Sequence, residues 1–259
     1  MKKTVLITGA GGTIGTILRR SLDDTYTWRL LSSRPIPDAE AIVADLGDLP
    51  TLLEVFRGVD SVVHLAARAS IHTPWNDVLH SNIIGTYNVF EAAAQCGVKQ
   101  VIFASTNHTV GTYDLENAPD IYTTGTPLLD HTVPVRPDSL YGVSKCFGES
   151  LGRYFADHRG LHVLCLRIGF VNAKDDPYPL HSQESKERLA ALWLSQRDAV
   201  QLVEKSLLAD DVPFDIVYGI SNNQPHYYDL EHTREVIGYV PQDGAHVDQV
   251  QQQRSQEKS

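Results

Sequence analysis

Cysteine, long apolar runs and basic clusters are all scarce in this chain. Its 259 residues include three cysteines, Cys96, Cys146 and Cys165. The number is odd and no pair has C-x-x-C spacing. That argues for a reducing compartment and against a zinc site or a disulfide frame. Each cysteine reads as a small buried hydrophobe, and no metal is expected. No segment approaches the ~20 apolar residues that span a bilayer. Lys2 and Lys3 lead directly into the first apolar run, without a signal-peptide pattern. Lys plus Arg number 22 against 32 Asp plus Glu, a net charge of −10. With no basic stripe, this balance argues against a nucleic-acid surface. There is no internal repeat. A cytoplasmic protein without membrane or nucleic-acid partners is expected.

What is present is a substantial apolar complement, 42% of residues, arranged as alternating strand and helix patterns. This alternation predicts a parallel sheet wrapped by helices. Strands are expected at Thr4–Ile7, Trp28–Leu31, Ala41–Ala44, Ser61–Leu65, Gln100–Ala104, Val163–Ile168 and Phe214–Tyr218. Helices are expected to begin near Thr13, Leu49, Trp75, Ser139, Leu189 and Asp198. The stretch Asn107–Pro137, with four prolines, reads as loop-rich, and Asn172–Ser185 as a second irregular stretch. Long loops in a compact domain usually have a job, and both follow strand ends, where open α/β sheets bind ligands. The fold class is α/β, a Rossmann-type doubly wound parallel sheet. Residues 1–168 are expected to form the dinucleotide-binding domain. A small substrate-binding portion, 169–246, is interleaved with it, and a tail, 247–259, is read as disordered.

The first strand runs into Thr8-Gly9-Ala10-Gly11-Gly12-Thr13-Ile14-Gly15. Gly9, Gly12 and Gly15 have G-x-x-G-x-x-G spacing. Glycines there permit a tight strand-to-helix turn, bring backbone N–H groups to a pyrophosphate and aim a helix N-terminus at its charge. The strand-turn-helix context supports dinucleotide binding. After the second strand, an NAD site usually places a carboxylate on the adenosine ribose. Here stand Ser32, Ser33 and Arg34, two hydroxyls and a guanidinium suited to a 2′-phosphate. NADP is therefore favoured, with NAD open; a plain turn before Pro35 is the alternative. Asp45 and Leu46 are expected near the adenine. Leu65, Ala66 and Ala67 are small residues where backbone runs close to the cofactor, and neighbouring His64 reads as a core residue.

Tyr141-Gly142-Val143-Ser144-Lys145 places a phenol and an ammonium on one helical face. A Tyr titrates near ~10 in water, and a fixed cation beside it is expected to lower that value. Such a Tyr can take a proton from a substrate hydroxyl. A surface Tyr and Lys sharing a helix is the alternative.

Together, Thr8–Gly15, Asp45-Leu46, His64–Ala67, Asn82, Tyr141 with Lys145, and Ile237–Pro241 resemble the extended short-chain dehydrogenases/reductases. The likeness spans nearly the whole chain in order. It implies Tyr141 as catalytic base, Lys145 on the nicotinamide ribose, Thr106 orienting the substrate hydroxyl, and Asn82, Ser105 and Val171 among the cofactor contacts. Phe103–Gly111, Tyr141–Glu149, Leu166–Gly169, Trp193–Ser195 and Tyr218–Asn223 resemble more closely a subgroup that includes uronate dehydrogenases and archaeal NAD-dependent glucose-6-phosphate dehydrogenases. That resemblance implies Asn107 and His108 on sugar hydroxyls, Arg188 on an anionic group, and Ser70 and Phe170 beside the substrate. Three departures stand out. Phe170 replaces a Ser, the Arg68–Pro74 loop is one residue longer, and Ser32–Arg34 lacks the NAD-type Asp. They leave uronate, neutral aldose and aldose phosphate all open.

The expected reaction is oxidation of a monosaccharide C1 hydroxyl to the lactone, with hydride transfer to NAD(P). The alternatives are a nucleotide-sugar epimerase or dehydratase that keeps its NAD, and a cofactor-binding regulator without turnover. A homo-oligomer is expected. Leu140, Phe147, Leu151 and Phe155 would supply either an apolar contact face or core.

Overall fold

In the computed structural model, residues 2–179 and 185–248 are described. Seven parallel strands form one sheet: β1 (Thr4–Thr8), β2 (Thr27–Ser32), β3 (Ile42–Val43), β4 (Ser61–His64), β5 (Gln100–Thr106), β6 (His162–Ile168) and β7 (Phe214–Gly219). Their spatial order is β3-β2-β1-β4-β5-β6-β7. All seven expected strands are present. Their signal was an apolar, β-branched run, the mark of strands covered on both faces.

The chain winds outward from β1 to β3, then crosses back to β4. The order reverses between β1 and β4, which opens a crevice at the carboxyl ends of those strands. Helices cover both faces. One core lies under α1 (Thr13–Ser21) and α9 (Gln196–Leu208), with Leu18, Leu202 and Val203 against Val5, Ile7 and Val217. The other lies under α2 (Leu49–Phe56), α4 (Gly85–Gln95) and α7 (Leu140–Arg159), with Phe56, Phe90 and Phe155 against Leu6, Val62 and Phe103. Between α2 and α4, α3 (Trp75–Asp77) continues through a π-helical stretch, Val78–Ile84, directly into α4.

A third cluster sits beyond the β6–β7 end. It joins α6 (Asp120–Thr124), α8 (Lys186–Leu192) and the aromatic run Tyr227-Tyr228. The expected loop of 107–137 carries two short helices, α5 (Gly111–Asn117) and α6. Neither spans two full turns, and Pro119 stands between them. α10 (Glu231–Ile237) was also unread, although Gly238, in the left-handed conformation, stops it. α8 begins at Lys186 rather than Leu189 because Ser185 caps it through the Arg188 N–H, 3.1 Å. Of the four residues read as contact face or core, Phe155 is core and Leu140 is 45% exposed. Among the described residues, no helix is long and apolar enough to cross a membrane. Most of the tail read as disordered, from 249 onward, lies outside the described residues.

Candidate active site

The glycine turn follows β1 at the switch point. Gly9 has φ +71°, and a Cβ there would press on the Ala66 backbone at 2.8 Å. A Cβ on Gly15 would meet Ala10 and the Gly9 carbonyl at 2.8 Å, so α1 packs tightly on β1. Gly12 is different. Only the Gly9 oxygen, at 3.3 Å, lies where its side chain would be. It caps α1 with no side-chain acceptor, and it borders cavities on both sides of the turn. Its missing side chain keeps the crevice open at the helix N-terminus, as a bound pyrophosphate requires.

On one side, the crevice is lined by Ser32, Ser33 and Arg34 from the end of β2, with Asp45, Leu46, Leu65, Ala66 and Ala67. Arg34 makes no ion pair among the described residues. Asp45 accepts from the Gly47 N–H at 2.6 Å and pairs with His80 Nε2 at 3.0 Å. The Gly47 bond, then His80, hold its carboxyl below the usual range. His80 lines this cavity and was missed by the sequence reading, because it lies within the unforeseen π-helical stretch. Asn82, from the same stretch, does not line the crevice. Its Oδ1 accepts from Arg68 N–H at 2.8 Å, and its Nδ2 donates to Ser144 Oγ at 3.0 Å. It fastens the β4 loop to α7. His64 is core: fully buried, pushed down to about 3 by burial, and bonded to Thr8 and Thr86.

On the other side, Thr13, Ile14, Ser105, Thr106, Asn107, His108, Tyr141, Lys145, Phe170 and Val171 share one cavity with Gly9, Gly12 and Gly15. Ser139 caps α7 through the Gly142 N–H at 3.1 Å and sets Tyr141 in its first turn. Lys145 Nζ donates to the Ala104 carbonyl at 2.6 Å and sits 5.8 Å from the Tyr141 ring centroid. The expected lowering of Tyr141 is not found. Burial pushes its phenol up to about 12, against a hydrogen bond with Thr106 that works to lower it. Burial likewise brings Lys145 down to about 7. Desolvation disfavours the charged form of both groups and outweighs the Thr106 hydrogen bond at Tyr141 and the Cys165 and Glu149 charges at Lys145.

Ser105 lines this cavity, but its hydroxyl donates to Glu149 Oε1 at 2.6 Å. Glu149 is held in a two-pronged pair by Arg167, at 2.9 Å on each oxygen, and Arg167 donates to Tyr218 Oη at 3.1 Å. This buried network joins α7 to β5, β6 and β7 just beneath the crevice. Both residues stood inside motifs noted in the sequence, without a role.

Beyond Tyr141 lies a pocket bordered by His108, Asp138, Arg188, Tyr122 and Leu115. His108 Nδ1 is 2.7 Å from Asp138 Oδ2, and its ring meets Tyr141 edge-on. Arg188 is buried on α8. Its Nε donates to Asp114 Oδ2 at 2.7 Å. With the Asn107 amide oriented to donate to the Ile168 carbonyl, its oxygen accepts from Arg188 Nη2 at 3.2 Å. Asp114, fully buried on α5, also accepts the Tyr122 and Tyr227 hydroxyls. The structure thus brings Arg188, Asn107 and His108 together. It does not bring Ser70, whose hydroxyl accepts the His72 N–H at 3.2 Å, to the pocket wall; Ala69 and Ile71 stand there. Asp114 went unread because one carboxylate in a loop-like stretch carries no motif.

A seven-stranded Rossmann-type sheet with this glycine turn, and with a Tyr and Lys facing it from α7, defines a dinucleotide-binding oxidoreductase framework of the short-chain type. The chain belongs to the NAD dependent epimerase/dehydratase family, which residues 5–202 match. It is 41% identical over 256 residues to an NAD-dependent glucose-6-phosphate dehydrogenase of Haloferax volcanii, covering 95% of each chain. It is 37% identical to an L-arabinose 1-dehydrogenase (NAD(P)(+)) of the same organism, covering 93% of this chain and 97% of the other. A crystal structure of a variant uronate dehydrogenase from Agrobacterium tumefaciens, complexed with NAD, superposes with a TM-score of 0.82 at 32% identity. That match covers 99% of this chain and 90% of the other.

Proposed function

We propose that this protein oxidises the C1 hydroxyl of a monosaccharide to the lactone, using a nicotinamide dinucleotide. One observation carries the reading: Tyr141, Thr106 and Lys145 open into the same cavity as the glycine turn. The sugar dehydrogenases among its relatives support it. When bound, the nicotinamide supplies the hydride acceptor. Gly9, Gly12, Thr13, Ile14 and Gly15 would hold the pyrophosphate. Ser32, Ser33, Arg34, Asp45 and Leu46 would hold the adenosine end, and Leu65, Ala66, Ala67 and Val171 would line its path. Ser105 would shape the wall beside the nicotinamide, and Asn82 would act from behind by fixing the Arg68 backbone.

Tyr141 accepts the proton of the C1 hydroxyl, while Thr106 hydrogen-bonds the same oxygen. Tyr141 does this as the phenolate and becomes the neutral phenol; Lys145 would hold the nicotinamide ribose, and its charge would favour the phenolate beforehand. His108 and Asn107 bind neighbouring sugar hydroxyls, Phe170 supplies an apolar wall, and Ser70 contributes only through its loop. With no carboxylate at Ser32–Arg34 to repel a 2′-phosphate, NADP is used at least as well as NAD.

The sugar class follows from Arg188. Its charge is already answered by Asp114 inside a buried network, and Asp138 borders the same pocket. An anionic sugar would set a further negative charge around one compensated guanidinium in a medium where charges interact strongly. The reading is therefore a neutral aldose, with Arg188 and Asp114 holding Asn107 in place.

The test is a spectrophotometric screen of arabinose, xylose, glucose, glucuronate, galacturonate and glucose 6-phosphate, each with NAD and NADP. Accumulating reduced cofactor with a neutral aldose at the highest kcat/KM is the expected result. A preference for an anionic sugar overturns the neutral-aldose reading and leaves the dehydrogenase reading intact. Absence of reduction with every sugar overturns both, in favour of an epimerase that regenerates its cofactor.

A further inference from the structure

Three side chains from distant parts of the chain converge outside the crevice. Asp215 is the second residue of β7, His232 the second of α10, and His131 follows Asp130 in the segment between α6 and α7. All three are half-buried, and one ligand atom from each lies within 4.8 Å of the others. His232 Nε2 stands 2.8 Å from Asp215 Oδ1. The His131 and His232 rings are stacked, with centroids 3.6 Å apart and planes 11° off parallel. His131 Nδ1 is buried and has no hydrogen-bond partner. Buried ring nitrogens are almost always partnered, so a packing role alone leaves this one unaccounted for. Asp130, next to His131, turns its Oδ1 to the Thr132 N–H and hydroxyl at 2.7 and 2.6 Å, and Asp215 Oδ1 also accepts the Ile216 N–H at 2.7 Å.

We propose that His131, Asp215 and His232 form a binding site for a divalent transition ion, with zinc preferred. Two imidazoles and one carboxylate are a donor set that suits zinc and disfavours magnesium or calcium. The 2.8 Å between His232 Nε2 and Asp215 Oδ1 allows both atoms to reach one ion at about 2.0–2.2 Å. The ion takes the place of the hydrogen bond between that pair, and the His232 ring carries its proton on Nδ1 instead of Nε2 when it binds. The imidazole lone pairs lie in the ring planes, so the stack opens on binding: His131 rotates out of it to aim its ring nitrogen at the ion, and water fills the fourth position.

The consequence is mechanical. The ion ties residue 131 to β7 and α10. Immediately beside it, the Asp130 carbonyl accepts from Tyr218 at 3.2 Å, and Leu129 N–H donates to the Tyr227 carbonyl at 2.7 Å. Tyr227 in turn donates to Asp114 at 3.1 Å. The clamp therefore braces the segment behind the Arg188 pocket without entering it.

The test is calorimetric titration of the chelator-treated full-length protein with zinc chloride, with magnesium chloride in parallel, followed by cobalt(II) spectroscopy. One zinc per chain, no magnesium, and at least about tenfold weaker binding in His131→Gln and His232→Gln are expected. Cobalt should give tetrahedral d–d bands without a thiolate charge-transfer band. Zinc binding unchanged in both variants, a thiolate band that places the ion on a cysteine, or no binding to the parent protein overturns the proposal. Asp215→Asn keeps the shape of the site, so weakened binding there, with an unchanged circular dichroism spectrum, separates loss of a ligand from loss of fold.

Discussion

At Tyr141 two influences oppose each other. Burial holds the phenol up at about 12, while its contact with Thr106 pulls the other way. A base whose pKa stands above the working pH gains reactive form as pH rises. kcat/KM for sugar oxidation should therefore climb with pH from about 6, and less steeply above about 7, where Lys145 loses the charge that favours the phenolate; a profile flat throughout would remove Tyr141 from the chemistry. Tyr141→Phe should cut kcat by about 10²–10⁴-fold and leave the cofactor dissociation constant, read by fluorescence titration, within about twofold. Asp114→Asn uncovers the Arg188 charge. The ratio of kcat/KM for glucuronate or glucose 6-phosphate over xylose should rise about tenfold, ~1.4 kcal/mol of differential binding. Tyr141 and Lys145 were readable because helical spacing pairs them. Their pKa directions were not, because desolvation depends on what covers a residue. Asp114 was invisible for a simpler reason: it lies 74 positions from Arg188.

Among the elements, α7 bears the most constraint. It carries Tyr141 and Lys145 on one turn and Glu149 on the next, against Arg167 of β6. Glu149 and Arg167 are almost wholly buried, with side chains 5% and 1% exposed. Glu149→Gln leaves a guanidinium without its counter-charge and should lower stability by about 3–5 kcal/mol, measured by urea unfolding. An unchanged midpoint would show that the pair contributes little. Strands were legible because each is a short apolar run between turn residues. α5 and α6 were not, because segments this short have too little periodicity to show and the prolines nearby read as loop. Gly148 shows the same limit. In sequence it weakens a helix; in the fold its missing Cβ makes room for the Phe103 ring.

Over the whole molecule, the cofactor crevice spans both halves of the sheet, so its ligand should stabilise the folded chain as a unit. At a hundredfold excess over its dissociation constant, a bound dinucleotide adds about 2.7 kcal/mol, visible as a raised melting temperature. NADP should raise it at least as much as NAD at equal concentration. Arg34→Ala should abolish any advantage of NADP while sparing the NAD shift. Equal losses for both cofactors would mean that Arg34 does not read the 2′-phosphate. The parallel sheet wrapped by helices and a ligand site at its strand ends followed from strand alternation and the glycine turn. The third core cluster did not, because residues from 110 to 247 meet only after folding.

Asp114 sits on a helix of seven residues that is no part of the sheet. It touches neither the glycine turn nor Tyr141. A lineage could therefore exchange that one residue and change the charge of the sugar it accepts, while the machinery for removing a proton stays as it was. On the neutral-aldose reading, substrate charge and proton removal are set by separate residues. A survey of what stands at position 114 beside a retained Arg188 would sort such enzymes by diet before any of them is assayed.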